Sequence, residues 1–499
     1  MLTHLKSIWY RIAPLCVGLA MSQVLATWRV WQSNQHILRQ SQAITEAGWL
    51  SIPCGPAMAG LVTFKAAFWG GLFFTLSLGA GLSLLTWGVL SIFGRNGLRN
   101  WFGRIVVALI WTIILLTINS NGIMLGESLF VFLVPLVFGW VYLKCRSDLV
   151  TAGPRYLRFT APASLILLSG LWFSQYNSDL FINIRDQLLL SNPAGQAVNT
   201  FYYRYTLYPA EAFKSFDQKT VRTCALSGIR DPQLARRLAD RLIALNVLPL
   251  NHFPQNDLSI QEVQDQLVFK TNGSAVLTVP IKAFEADPSS WLIRFSVQSD
   301  SYEGLRSLIF ASLVLAFPIL LYMVLYGFLK MMIGFFFKPI MATWMVAGIC
   351  IALGILLLLP IWSFNNQNQD RMNLADLLKS DKRADHLLAL RFMEQQKLEI
   401  TGFPHYEGLL RSADVSERYW LARALAYSRR SASYDYLLEL LSDPEPIVRC
   451  QALYALGQRA EARAIESIRA HIAFSDHWYV QWYGYGALRK LGWHQKPLP

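Results

Sequence analysis

Glu127 is the clearest carboxylate beside an apolar segment of this sequence, and Asn119 precedes it closely in the chain. A carboxylate buried in a membrane is costly and by default indicates an ion or proton site. Glu127 also lies three residues into a predicted apolar helix, where it can meet water and stabilise the positive N-terminal end of the helix dipole. Two interpretations therefore stay open: a polar site in the membrane formed by Glu127 and Asn119, or a helix cap at the membrane surface.

Histidine does not form the patterns that metal binding or catalysis requires. None of the eight histidines falls within a predicted apolar span, whereas a membrane b-type haem needs axial histidines inside the bilayer. The motifs for haem attachment, for a phosphate-binding loop and for zinc or serine hydrolases are missing from the sequence. The sequence therefore predicts no enzymatic activity, no cofactor and no metal.

Cys16 and Cys350 lie inside predicted spans and Cys145 lies in a basic loop, which leaves Cys54, Cys224 and Cys450 on the predicted outer side. Their odd number and wide spacing predict no disulfide framework and leave one long-range bridge open. Cys54 lies between Pro53 and Gly55, in a rigid turn that precedes the second span. A structural elbow is the expected role of this turn, and a reactive thiol at Cys54 is the alternative.

The composition indicates a membrane protein. The chain has 499 residues, of which 54% are hydrophobic and only 15% are charged, whereas a soluble domain averages about 25% charged residues. A bilayer core of about 30 Å requires about 20 mostly apolar residues per helix. Seven segments meet or approach this length, namely 12–31, 66–93, 105–122, 124–143, 159–176, 305–328 and 340–362. The first has a basic start and small residues near its end, so a cleaved signal peptide and an uncleaved anchor both fit it.

The distribution of charge predicts the orientation. The net charge is +13, but segments 176–304 and 363–499 carry only −1 and +2. Lysine and arginine concentrate in the N-terminus and in loops 94–104, 144–158 and 329–339, which are alternate connections between spans. By the positive-inside rule these connections are cytoplasmic, so we expect the N-terminus inside and the C-terminus outside. Because the excess positive charge reports topology, no nucleic-acid partner is expected.

The fold class that follows is a polytopic α-helical membrane protein of about seven transmembrane helices. Regions 1–175 and 305–362 hold the spans. Region 176–304 is predicted to be an extracytoplasmic α+β domain, and region 363–499 opens with a polar linker and continues as helices.

Small residues recur at steps of four in the second span, at Thr75, Gly79 and Ser83, with Gly81 beside them. This spacing lets helix backbones approach closely and favours tight helix packing. A moving gate or a substrate path is the alternative interpretation.

Local signals support an α+β domain in region 176–304. Asp231-Pro232 is a strong helix start, followed by a leucine stripe from Leu234 to Leu245. Residues 267–271 and 274–279 flank Asn272-Gly273, which predicts a hairpin. Residues 291–297 are predicted to be a further strand.

The C-terminal segment contains an internal repeat. The middle copy runs from Asp443-Pro444 through Val448-Arg449 to an alanine- and leucine-rich helix that ends in Leu456-Gly457. The leucines Leu425, Leu456 and Leu491 mark successive copies, one helical hairpin apart. The first copy lacks the proline and the closing glycine, and the last has Tyr483-Gly484 in place of Val-Arg.

These copies resemble the short HEAT-like repeats. The resemblance implies an α-solenoid of stacked helical hairpins over roughly the last quarter of the chain. It also implies a surface for binding a protein, since solenoids of this kind are mainly binding scaffolds.

Two aromatic clusters are candidate partner-binding surfaces. The first lies at helical spacing and includes Tyr202 and Tyr205. The second crowds the last repeat and consists of Trp478, Tyr479, Trp482, Tyr483, Tyr485 and Trp493. Tryptophan and tyrosine are enriched at binding hot spots. Packing of the terminal repeat, or contact with the membrane surface, would also use such rings.

The sequence thus favours a membrane-anchored scaffold or assembly factor in a prokaryotic cytoplasmic membrane. Its partners would be the lipid bilayer and an envelope protein. The alternative is a transporter or permease component that uses the seven-helix bundle. The sequence does not indicate a small-molecule substrate.

Overall fold

The computed structural model describes residues 2–97, 101–146, 159–365 and 373–496. Parts of the predicted cytoplasmic loops 94–104 and 144–158, and most of the polar linker after residue 365, lie outside the described residues. The apolar regions contain eight helices: α1 Leu2–Glu46, α2 Phe64–Phe74, α3 Ala80–Gly97, α4 Trp101–Ile118, α5 Leu125–Arg146, α6 Thr160–Phe173, α13 Glu303–Ile333 and α14 Pro339–Asn365. Short helices α7 Leu180–Ile184, α8 Pro193–Tyr205 and α9 Leu207–Glu211 follow α6.

Among the described residues, five helical segments are long and apolar enough to cross a membrane: Ile12–Glu46, Phe64–Ile92, Leu125–Cys145, Glu303–Ile333 and Pro339–Asn365. The predicted third and fifth spans correspond to shorter apolar helices, Ile105–Ile118 and Thr160–Phe173. At 1.5 Å per residue, the 14 residues of α6 extend for about 21 Å, less than the roughly 30 Å of a bilayer core. The count of seven spans therefore stays a prediction.

Helix α1 corrects one expectation. The predicted spans 12–31 and 66–93 leave residues 32–65 as a loop between them, and the first part of this loop is wrong, because the helix runs without interruption from Leu2 to Glu46. Its second half is stabilised by contacts with other parts of the chain. Val30 and Ile44 are buried in two different hydrophobic clusters, and Gln40 donates to Asp257 at 2.8 Å. These contacts lie far away in sequence, so local signals alone do not reveal the extension.

The predicted second span is one continuous helix with a π-helical turn at Thr75–Gly79 between α2 and α3. Thr75 donates to Gln23 Oε1 of α1 at 2.8 Å. A Cβ atom on Gly79 would lie 2.1 Å from Ser22 Oγ, and one on Gly81 would lie 2.8 Å from Ser312 Cβ. The small residues of the second span therefore pack closely against α1 and α13.

The α+β region contains β1 Arg222–Gly228, α10 Pro232–Ala244, β2 Val247–Pro249, β3 Leu258–Val263, β4 Gln266–Thr271, β5 Ser274–Pro280, α11 Ile281–Ala286 and α12 Pro288–Ser299. Its sheet has the strand order β2-β1-β3-β4-β5. β1 is parallel to β2 and β3, and β3, β4 and β5 are antiparallel. The predicted helix start at Asp231 and the hairpin at Asn272-Gly273 are confirmed.

The predicted strand at residues 291–297 is wrong, because these residues belong to α12. Pro288 occupies the first turn, and Asp287 accepts from the backbone N–H of Ser290 at 3.2 Å, which caps the helix. Leu292 and Phe295 are buried at helical spacing. The β-branched and aromatic residues suggest a strand locally, but the cap and the burial of one face stabilise a helix.

The C-terminal region consists of α15 Leu374–Lys379, α16 Arg383–Gln395, α17 Val415–Leu425, α18 Ser431–Leu440, α19 Pro446–Arg459, α20 Ala464–Phe474 and α21 Trp478–Lys490. Helices α16, α17, α19 and α21 lie side by side and are called the inner row below, while α18 and α20 form the outer row. Gly457, the closing glycine of the middle repeat, lets α19 approach α21, since a Cβ there would lie 2.8 Å from Ala487 Cα.

We expect Gly81→Ala to lower the free energy of unfolding by about 1–3 kcal/mol, the usual cost of overpacking a close helix contact. Gly88 lies in the same helix with open space around it. Gly88→Ala should therefore be neutral or slightly stabilising, because alanine is the better helix former. Thermal unfolding of both variants in detergent checks the difference, and equal stabilities would contradict the packing described.

Candidate functional site

The inner row of the repeat array packs against the chain segment 179–208, which follows the apolar helix α6. Asp186 is fully buried and accepts from Trp420 Nε1 at 2.8 Å. The Arg185 guanidinium pairs with Asp186 at 2.7 Å and lies 4.0 Å from the centre of the Tyr419 ring. Arg383 donates to Gln187 at 3.1 Å. Segment 179–208 thus occupies the face that the inner row presents.

The last repeat is attached to the turn between α1 and α2 by two glutamine side chains. The Gln481 amide is fully buried; it donates to Cys54 O at 2.9 Å and accepts from Cys54 N at 2.9 Å. Gln495 makes the same pair of bonds with Leu50, at 2.8 Å and 3.1 Å. Each side-chain amide therefore satisfies both the N–H and the C=O of one backbone residue across a tertiary contact.

The aromatic residues of the last repeat form much of this attachment. Trp478 packs edge-on against Tyr208 with ring centres 5.2 Å apart, and Tyr479 packs on Tyr203 at 4.9 Å. Tyr485 is 2% exposed and donates to Asn246 at 2.8 Å.

The structure places the remaining aromatic candidates as follows. Tyr483 and Trp493 are partly buried against the same hydrophobic cluster, and Tyr205 is partly buried against Trp69 and Phe201. Trp482 and Tyr202 are 38% and 48% exposed. Most of the predicted partner-binding rings therefore make contacts inside the chain, and Trp482 and Tyr202 present the larger free surface.

A cleft of about 1030 Å³ opens between the second half of α1, the α+β domain and the start of α5. Its lining is mainly polar and includes Arg29, His36, Glu127, Lys219, Asp257 and Lys270. Trp478 of the last repeat also borders it. The cleft therefore brings together Glu127 and Trp478, two candidates that the sequence places in separate regions.

A buried ion pair connects α1 to the sheet at the wall of the cleft. Lys219 pairs with Asp257, whose other oxygen accepts from Gln40 Nε2 and from the backbone N–H of Thr223, both at 2.8 Å. Burial alone would raise the pKa of the Asp257 carboxyl, but the Lys219 ammonium and the Thr223 bond together hold it below its ordinary value. Asp257 is therefore ionised at neutral pH.

Glu127 lies in the first turn of α5 and pairs with Arg29 of α1 at 2.8 Å. Arg29 also donates to Tyr302 Oη at 2.9 Å. Asn119 instead closes its own turn, since it accepts from Met124 N at 2.7 Å and donates to Leu115 O at 2.8 Å. The structure does not bring Glu127 and Asn119 into one site.

The cysteines carry free thiols, including Cys54, Cys224 and Cys450. The long-range bridge that the sequence left open is therefore absent from this structure. Burial raises the pKa of the Cys54 thiol to about 11, so it stays protonated and is a poor nucleophile at neutral pH. The elbow interpretation fits Cys54 better than the reactive thiol.

Sequence reasoning missed Arg29, Asp186, Asp257 and Gln481. Each has a partner far away in the chain: Glu127, Trp420, Lys219 and Cys54 lie 98, 234, 38 and 427 residues from them, so no local pattern predicts these contacts. Only Gln481 leaves a signal. It occupies the buried stripe of α21 between Trp478 and Tyr485, a position where an amide needs a hydrogen-bond partner.

Within the described ranges, no group of three or more histidine, cysteine, aspartate or glutamate side chains is arranged to hold a metal ion. The charged groups of the cleft are mostly paired with one another. The polar and charged side chains that line the cleft can bind a polar surface through hydrogen bonds, and their ion pairs can be replaced by ion pairs with that surface.

The sequence of residues 406–489 matches the family of HEAT repeats. This range covers α17 to α21, so the resemblance of the C-terminal repeats is confirmed. HEAT repeats are typical of protein-interaction scaffolds. No curated protein and no solved structure matches the chain.

We expect Asp257→Asn to lower the free energy of unfolding by about 3 kcal/mol, because it leaves the Lys219 ammonium without its counter-charge. Glu439→Gln is the matched control. Its partner Arg411 is 84% exposed, and an exposed pair contributes about 0–1 kcal/mol. Chemical unfolding followed by fluorescence measures both, and a loss for Asp257→Asn no larger than for the control would contradict the role of this pair.

Proposed function

We propose that this chain is a membrane-anchored scaffold of a prokaryotic cytoplasmic membrane. Its HEAT repeats and α+β domain would hold an envelope protein, during assembly or maturation of a larger membrane complex. The match of residues 406–489 to a family of protein-interaction repeats supports the scaffold role. The five long apolar helices and the alternating basic connections support the anchor and its orientation.

The observation that carries the proposal is the attachment of the array to the apolar region. The array shares one hydrophobic core with Leu190 of segment 179–208 and Phe364 at the end of α14. Trp478 joins a second core with Val30 of α1 and Ala66 of α2. A scaffold has to hold its partner at a defined position, and these shared cores fix the repeats directly beside the apolar helices.

The contacts also revise where a partner would bind. Since segment 179–208 packs on the inner row, a partner would bind beside that contact, and the outer row and the polar cleft are two surfaces that stay available. Phe474, at the end of α20, is 83% exposed. Trp482, beside Lys214 at the margin of the cleft, is the most accessible aromatic candidate of the last repeat.

The transport alternative receives less support. Gly79 and Gly81, the positions that favour a gate or a path, are in tight contact with Ser22 and Ser312. Glu127 forms an ion pair with Arg29, and both residues line the polar cleft. Both features favour packing and anchoring.

The orientation is testable by cysteine labelling of intact cells with a membrane-impermeant thiol reagent. Arg411 and Lys338 are both exposed, in the array and in the connection between α13 and α14. We expect Arg411→Cys to be labelled well above the wild-type background, and Lys338→Cys to be labelled only after the membrane is permeabilised. The reverse result would overturn the orientation.

The scaffold role is testable by co-purification in mild detergent. A chain that ends at residue 365 lacks the array, and we expect it to lose its co-purifying envelope protein while it still reaches the membrane fraction. Lys338→Gln, a change at an exposed lysine in the connection between α13 and α14, is the control and should retain the partner. If the truncated chain keeps every co-purifying protein, the proposal is wrong.

A further inference from the structure

A second cavity, of about 410 Å³, lies where α8 meets two turns of the repeat array. One turn precedes α19 and contains Pro444 and Pro446, and the other precedes α21 and contains His477. Phe201 and Tyr205 of α8 form the opposite wall. The cavity therefore has apolar walls of proline and aromatic rings, and it is separate from the large polar cleft.

Arg449 borders this cavity and is the unusual residue in it. Its guanidinium makes no hydrogen bond and no ion pair with any residue that the structure describes, and its Nε atom is buried without an acceptor. A buried polar atom without a partner is rare in folded proteins. An arginine presents five N–H donors, so Arg449 offers a ready site for an acceptor.

Two histidines near Arg449 also have buried ring nitrogens without hydrogen-bond partners. His477 is 3% exposed, and neither of its ring nitrogens has a partner; the Nε2 atom of His471 is also buried and unpaired. Burial and then the nearby Arg204 and Arg449 lower the pKa of His477 to about 4. His477 is therefore neutral at pH 7, and its ring can offer one N–H donor.

The acidic groups at the rim form no ion pair with Arg449. Burial alone would raise the pKa of Asp476, but its bond with Arg204 and nearby positive charges, Arg449 among them, hold it below its ordinary value, so Asp476 attracts Arg449 without bonding to it. Asp476 pairs with Arg204 at 3.1 Å, and Glu445 accepts from Thr200 at 3.4 Å. These two carboxylates also limit what can enter. A phosphate dianion would meet repulsion from both of them, whereas a single carboxylate on an apolar stem would meet less repulsion and could accept two bonds from the guanidinium.

We propose that this cavity binds an acidic side chain of an extended peptide segment, with the carboxylate on Arg449 and the flanking residues between the prolines and the aromatic rings. The inference rests on the proposed scaffold function, because it assigns a chemical feature to the partner. It places the recognition site at the junction of α8 and the array, away from the outer row.

A peptide-retention experiment tests the proposal directly. The full chain, in phosphatidylcholine nanodiscs, is immobilised and exposed to random heptapeptides with a fixed central glutamate, or with glutamine there instead. We expect the glutamate pool to be retained at least 10-fold better. Arg449→Gln should abolish this preference, and Arg449→Lys should weaken it several-fold because lysine lacks the planar fork. Arg469→Gln, at a partly exposed arginine of the same array, should leave it unchanged.

Three results of this experiment would overturn the proposal. The first is equal retention of the two pools, and the second is an Arg449→Gln variant that behaves like the wild type. The third is that phosphatidylglycerol vesicles or inorganic phosphate bind in a way that depends on Arg449 while the glutamate pool does not, which would identify a phosphate site. Arg449→Lys keeps the test valid should Arg449→Gln fail to fold.

Co-purification separates this inference from the scaffold proposal. If the truncated chain loses the envelope protein but Arg449→Gln retains it, the scaffold proposal stands and the peptide site is wrong. If truncation changes nothing, the scaffold proposal itself fails.

Discussion

The buried carboxylate of Asp186 holds the two halves of this molecule together. A buried charge is stable only when it is paired and hydrogen-bonded. Arg185 supplies the charge from the same segment, and Trp420 of the array supplies the indole N–H. Because these partners come from opposite sides of the interface, satisfying Asp186 requires that the array lie on segment 179–208. The position of the inner row, and thereby of the surfaces that stay free, depends on this contact.

Helix α1 connects the α+β domain to the apolar helices. Its first half packs on the apolar helices α3 and α13, and its second half carries Arg29 and Gln40 to the polar cleft. Gln40 and Lys219 share the Asp257 carboxylate, so the α+β domain is held to the same helix that contacts the apolar bundle. The cleft is thus bordered by parts that are each attached to α1 or to its neighbours, and its shape follows from that long helix.

Several local predictions succeeded because short-range chemistry decides them. Asp231-Pro232 starts a helix, Asn272-Gly273 makes a hairpin, and the repeat in the last quarter of the chain belongs to the HEAT type. The strand at residues 291–297 and the loop after residue 31 failed for a common reason. In both cases burial of one helix face against distant residues outweighed a weak local preference. Trp478 and Tyr485 illustrate the same limit, since a pattern of rings does not tell whether they face a partner or the chain itself.

The sequence by itself determined the periodic and compositional properties of this protein. Hydrophobic length defines its apolar helices, and spacing and turn residues define its repeats, because each depends on neighbours within a few residues. Tertiary structure alone decided which surface of the repeats is covered, that Glu127 pairs with Arg29, and that Arg449 stands unpaired beside His477. These features depend on residues that lie tens to hundreds of positions apart in the sequence, and no local sequence pattern predicts such contacts.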